Sequence, residues 1–315
     1  MSGPVKPGVV PRTHISFATG LKATASPASW IGRPTSARSR PTVRATWWTA
    51  WSAAICRART RSSSGPRRPS APDTLAGMAR PTIDQELRLG VYALPTDHTL
   101  IMGVLNVTPD SFSDGGLYLA PVDAIAHARE LVDEGADLID VGGESTRPGA
   151  ATVSTGDELA RVLPVISTLA PTLGVPISID TRNATVAATC LAAGAAMVND
   201  TSGLTNSAML HVIADTGAAA TIMHMKGTPA SMAAEAHYDD VLAEIREYLI
   251  AQAAKAVAAG AQTVIIDPGL GFAKDTQHNL HILAHLDAFT DLGFPVLVGP
   301  SRKRFIGELT GAAPG

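Results

Sequence analysis

The feature that most constrains how this chain can fold is the way its short apolar runs stop. IMGVLN ends at Asn106, ISID at Asp180, MVND at Asn199 and Asp200, and VIID at Asp267, while PVLVGPSRK passes through Ser301 to Lys303. An apolar run of about four to six residues reads as a parallel strand covered on both faces, and a polar residue where the run stops marks its C-terminal mouth. In barrels and open α/β sheets that mouth is where ligands bind. Several acid and amide groups converging there would form a hydrogen-bonding pocket for a flat, nitrogen-rich molecule.

From Leu100 onward strands and helices alternate. The strand candidates are 100–106, 137–141, 175–180, 196–200, 219–225, 263–267 and 295–299; amphipathic stretches lie between them at 122–134, 157–169, 185–193, 240–259 and 279–292. Many of these are followed by Gly, as at Gly135, Gly194, Gly217, Gly260 and Gly293, where a left-handed C-cap is wanted. Thr155 to Glu158 has capping-box spacing. A doubly wound sheet and a barrel share this alternation. No G-x-G-x-x-G follows the first strand, and polar residues recur at most strand ends instead of clustering at one switch point. The expected fold is therefore α/β, a (β/α)8 TIM barrel, here incomplete, with seven recognisable βα units and a first and a seventh strand unpaired at the seam.

Composition divides the chain. Residues 1–72 hold twelve Lys or Arg and no Asp or Glu, together with all four Trp and nine Pro; the other 243 of the 315 residues carry thirteen basic and twenty-eight acidic groups. Residues 1–95 are expected to be a low-complexity basic, disordered extension, apart from a short strand pair around Leu87 to Leu94, and 96–315 the folded domain. The net charge of -3 offers no case for a nucleic-acid partner. With only Cys56 and Cys190 there is no disulfide framework, and no uninterrupted apolar run approaches membrane-spanning length. A cytoplasmic protein with no membrane partner is expected.

Two long, polar, Gly- and Pro-rich loops follow the first two strands: NVTPDSFSDGG (106–116) and GGESTRPGA (142–150). With SIDT (178–181), VNDTSG (198–203), MHMKGTP (223–229), DPGLGFAK (267–274) and GPSRKRFIG (299–307), in this order and spacing, they closely resemble the dihydropteroate synthases. The resemblance implies a transferase of folate biosynthesis, a sulfonamide target, that condenses 6-hydroxymethyl-7,8-dihydropterin diphosphate with 4-aminobenzoate. It implies that Asp267 accepts from the donor edge of the pterin, that Asn199 and Asp180 line the same pocket, and that Lys303 donates to acceptor atoms of the ring. Asp180, Asp267 and Lys303 are the implied catalytic residues. Asn106 falls where the family places a Mg²⁺ ligand. Phe112, Thr146, Arg147, Pro148, Phe272 and Ser301 are implied for 4-aminobenzoate, and a homodimer is usual in the family.

Other readings compete for some of these residues. An Asp at a strand end is often only the N-cap of the following helix. His281 and His285, four apart on a helix, read as a solvated face, and His224 as a residue packed at a strand end. The family continues through an eighth strand ending in an Arg-x-His pair, absent after Gly311. A truncated pterin-binding paralogue with little activity, and less favoured a pterin-dependent methyltransferase domain, are the alternatives.

Overall fold

The computed structural model describes residues 14–18, 86–108, 121–145 and 152–311. Seven parallel strands alternate with helices as the apolar runs predict: β4 (Leu100–Asn106), β5 (Leu138–Gly142), β6 (Ile177–Asp180), β7 (Met197–Asp200), β8 (Ala219–Met223), β9 (Val264–Asp267) and β10 (Val296–Val298). Every residue of β5, β7, β8, β9 and β10 is buried, as expected of strands packed inside and outside. The intervening helices are α1 (Pro121–Asp133), α2 (Thr155–Leu169), α3 (Ala184–Ala192), α4 (Ser207–Thr216), α5 (Val241–Ala258), α6 (Thr276–Ala284) and α7 (Asp287–Thr290), with α8 (Arg304–Thr310) after β10.

The seam is where expectation and structure part. An eighth parallel strand, β1 (His14–Ala18), lies between β10 and β4 and closes the barrel in the order β1-β10-β9-β8-β7-β6-β5-β4. His14 pairs with Val296, and Ile15 with both Leu297 and Leu100. The expected unpaired seam is thus corrected: a segment from inside residues 1–95 supplies the missing ladders. Composition could not reveal this, because a five-residue strand leaves too short a period to stand out from a low-complexity stretch.

The expected strand pair is present as an antiparallel hairpin, β2 (Glu86–Leu89) and β3 (Tyr92–Pro95). It presents Leu87 and Leu89 to the N-terminal end of the barrel, where they pack with Leu100, Met102, Leu138, Met197, Ile265 and Leu297. Burying one such leucine contributes about 2 kcal/mol. The floor is therefore apolar, and the polar groups are left to the opposite end.

Helix ends follow local chemistry. Asn183, Asn206, Asp240 and Asp275 cap α3, α4, α5 and α6 by accepting from backbone N–H groups of the first turn. For α2 the cap is Ser154, one residue before the expected Thr155, and Ser154 Oγ accepts from the Asp157 N–H. The expected terminal glycines all carry positive φ, from 68° to 109°. The single helix expected over 279–292 is two, broken at His285, which has left helical φ and ψ.

Candidate active site

The strand-end polar residues share one register row. Asn106 pairs with Gly142, Gly142 with Asp180, Asp180 with Asn199, and Asn199 with Thr221. Asn106 is exposed at the mouth, whereas Asn199 is only 5% exposed. Gly142 leaves open the space between its neighbours. A Cβ there would lie 3.5 Å from Asp180 Oδ2 and 3.6 Å from Asn106 Oδ1.

Asp140, two residues below Gly142 on β5, carries no expected role yet touches this row. Its Oδ2 accepts from Asn199 Nδ2 at 2.9 Å. Burial pushes the Asp140 carboxyl up to about 6, against the opposing effects of Ser178 and Asn199. Asp180 is raised well above the usual carboxylate range by burial, then by the charges of Asp140, Glu158 and Asp200. Such crowding favours protonated acids, and a cation brought among them would shift them back toward the ionised form. Asp200 serves the backbone: Oδ1 accepts from the Ser202 N–H at 2.7 Å and Oδ2 from the Leu204 N–H at 3.2 Å. Asp200 thus holds the turn after β7 and caps no helix, since the N-cap of α4 is Asn206.

Asp267 closes the pocket from β9. It is 5% exposed, its Oδ1 accepts from the Gly269 N–H at 2.7 Å, and its carboxyl is raised to about 6 by burial despite Gly269, Lys303 and Lys274. Lys303, the residue before α8, is lowered to about 8 by burial, while the negative charges of Asp267 and Asp180 hold it up. Its ammonium stands 3.9 Å from the centroid of the Phe272 ring. Lys303 therefore joins both carboxylates to the aromatic side of the site. Ser301 lies in the turn between β10 and α8.

The structure thus brings Asn106, Asp180, Asn199, Asp267, Phe272 and Lys303 to one end of the barrel, with Ser301 in the adjoining turn. Phe112, Thr146, Arg147 and Pro148 lie outside the described residues. The start of the second loop is braced by Glu144, whose carboxylate accepts from Arg182 at 2.6 Å and from the Val153 N–H at 3.3 Å. Asp140 and Glu144 carried no assigned role in the sequence; an Asp inside the apolar run LIDVG is the signal that could have found the first. His224 packs as expected, buried at the end of β8 with its ring edge-on to Tyr248 at 5.0 Å.

For a metal, no group of three His, Cys, Asp or Glu side chains converges among the described residues. The donors facing the Gly142 gap are an amide and a carboxylate oxygen. That set suits a hard cation that takes few protein ligands and completes its shell with water or substrate oxygens.

Residues 102–314 match the family model described as pterin binding enzyme. The dihydropteroate synthase of Escherichia coli K12 is 45% identical over 224 residues, covering 70% of this chain and 79% of the relative. The structure of the Thermus thermophilus dihydropteroate synthase in complex with 4-aminobenzoate is 46% identical with a TM-score of 0.65, over 72% of this chain and 82% of that one. The Yersinia pestis dihydropteroate synthase, solved with a sulfonamide drug, is 42% identical with a TM-score of 0.69, over 73% and 84%.

Proposed function

The chain belongs to the pterin-binding enzymes, among the dihydropteroate synthases, and from that premise we propose that its barrel mouth joins 6-hydroxymethyl-7,8-dihydropterin diphosphate to 4-aminobenzoate. The observation that carries this reading is the convergence of Asp267, Asn199 and Lys303. A buried carboxylate, an amide and an ammonium match the donor edge, mixed edge and acceptor atoms of a pterin. Oδ1 of Asp267 is taken by Gly269, leaving Oδ2 to face the ligand.

The reaction forms a C–N bond from the aniline nitrogen to the pterin methylene and breaks the methylene C–O bond. The electron pair of that bond leaves with the diphosphate, and the nitrogen then gives up a proton to solvent. As the C–O bond lengthens, positive charge grows on the methylene carbon, and the carboxylates of Asp180 and Asp267 stabilise it without having to reorganise. Asn106, with Asp180 across the Gly142 gap, would hold a Mg²⁺ that, when bound, supplies positive charge against the diphosphate. Phe272 provides an aromatic face for 4-aminobenzoate and the Ser301 hydroxyl a donor to its carboxylate. Phe112, Thr146, Arg147 and Pro148 are assigned to the same substrate on the resemblance of their loops.

We place the catalytic residues within 96–315, in a barrel that His14–Ala18 and the hairpin at Glu86–Pro95 complete, and the enzyme in the cytoplasm. No helix among the described residues is long and apolar enough to cross a membrane.

The test is Mg²⁺-dependent formation of dihydropteroate by the purified protein. Asp267→Asn and Lys303→Ala should each lower kcat/KM by about 100-fold or more, the scale of losing one charged contact to a transition state. A folded protein that binds dihydropterin yet makes no product would sink this reading.

A further inference from the structure

Lys274 is a charged side chain buried at 6% exposure, outside the set of residues given roles above. Its Nζ donates to the Phe272 carbonyl at 2.9 Å and the His224 carbonyl at 3.2 Å, and lies 3.1 Å from His224 Nδ1. The nitrogen thus has three polar neighbours, two of them on His224 at the end of β8 and one on the loop that follows β9. Burying an ammonium is costly unless it is fully hydrogen-bonded, so this arrangement holds both segments in one relative position.

The surroundings leave that loop little freedom. Gly269 has φ +70°, and a Cβ on it would lie 2.0 Å from the His224 oxygen, the same carbonyl that Lys274 holds. A Cβ on Gly271 would lie 2.8 Å from Lys303 Cδ. The loop is therefore gripped between the backbone of β8 below and the stem of Lys303 above. Ahead of Lys274, the Ala273 carbonyl accepts from the Tyr238 hydroxyl at 2.9 Å. Asp267 is anchored by the β8–β9 ladder, in which it pairs with Met223, whereas Phe272 lies five residues beyond that ladder.

We infer that Lys274 is a positioning residue for the second substrate: it fixes the Phe272 backbone, and through it the ring that carries Lys303 on one side and faces 4-aminobenzoate. The inference rests on the proposed function for its substrate, though not for its geometry. Lys274 touches no reacting atom: its charge also favours the ionised form of Asp267, and its link to the second substrate runs through the Phe272 carbonyl.

The experiment is a coupling cycle with Lys274→Met, Phe272→Leu and the double variant. Lys274→Met should raise KM for 4-aminobenzoate about tenfold, a larger change than in the Kd for the pterin diphosphate, which loses only the Lys274 charge near Asp267. The double variant should be no worse than Phe272→Leu alone. Independent, multiplying effects, an unchanged KM, or equal losses for both substrates would overturn the inference. A second readout needs no turnover: with fluorophenylalanine incorporated, the Phe272 ¹⁹F resonance, assigned by its loss in Phe272→Leu, should move and broaden in Lys274→Met, and an unchanged resonance would overturn it. Absence of dihydropteroate from the unsubstituted protein would refute the proposed function and leave this second readout decisive. Should Lys274→Met fail to fold, Lys274→Gln, which keeps a donor and removes the charge, takes its place in both arms.

Discussion

Asn199 Nδ2 donates to Asp140 Oδ2 across 2.9 Å in the buried interior of the barrel, a contact between residues 59 apart in sequence. The bond orients the amide: one N–H is committed to Asp140, so the carbonyl oxygen and the remaining N–H are left to the pocket. Replacing the carboxylate by an amide removes a charge-assisted acceptor, a bond worth about 1.5 to 3 kcal/mol. Asp140→Asn should therefore weaken pterin binding by roughly 10- to 100-fold in titration calorimetry, with the far-ultraviolet circular dichroism unchanged. Unaltered affinity would mean that Asn199 needs no such support.

Asp267 predicts a trade between stability and activity. Its folded carboxyl titrates at about 6 against 3.8 in the ordinary range. Between those values the folded state holds the extra proton, so stability from this group is greatest below pH 3.8, falls as pH rises toward 6, and carries the full cost above that. Two units correspond to about 3 kcal/mol. Asp267→Asn keeps an acceptor for the Gly269 N–H and should be about 1 to 3 kcal/mol more stable than the unsubstituted protein in urea unfolding at about pH 7. That gain should shrink near pH 4, and pterin binding should be lost at both.

Two glycines predict opposite phenotypes. Gly269 must carry φ +70° and has the His224 oxygen where a Cβ would go, so Gly269→Ala should destabilise by more than about 3 kcal/mol or fail to accumulate. Gly142 is clear of backbone, with Asp180 Cβ and Oδ2 at 3.5 Å as its nearest neighbours. Gly142→Ala should melt within about 2 °C of the unsubstituted protein but lose activity, because the methyl group fills the space shared by Asp180 and Asn106. Calorimetric melting beside the product assay separates the two.

The closed seam predicts that deleting residues 1–20 exposes the edges of β4 and β10, both paired with β1 in the intact chain. Unpaired edges of buried parallel strands seek other partners. The shortened protein should elute as larger species in size-exclusion chromatography and melt at lower temperature. A monomer of unchanged stability would show that β1 contributes nothing.

The seven strands from Leu100, the hairpin near Leu87 and most of the pocket are legible in the amino-acid sequence, because each depends on neighbours within a few residues. Apolar period, a Gly or Asn at a helix end, and a polar residue stopping an apolar run are local signals. Asn106, Asp180, Asn199 and Asp267 are found that way, and the pairing of their strands places the first three in one register row.

Other features depend on pairs distant in sequence. Asp140 reads as a lone acid inside a strand until folding sets Asn199 against it. Lys274 reads as the end of a turn until two carbonyl oxygens and the His224 imidazole close around it. The strand at His14–Ala18 has no visible partner until β10 and β4 stand on either side of it. By itself the sequence determined which segments become strands and which polar groups stand at their mouths, since strand period and termination are properties of consecutive residues. Only the tertiary structure decided which buried charges meet, how far their ionisation shifts and how the barrel closes, because desolvation and ladder pairing exist only once distant segments share the same space.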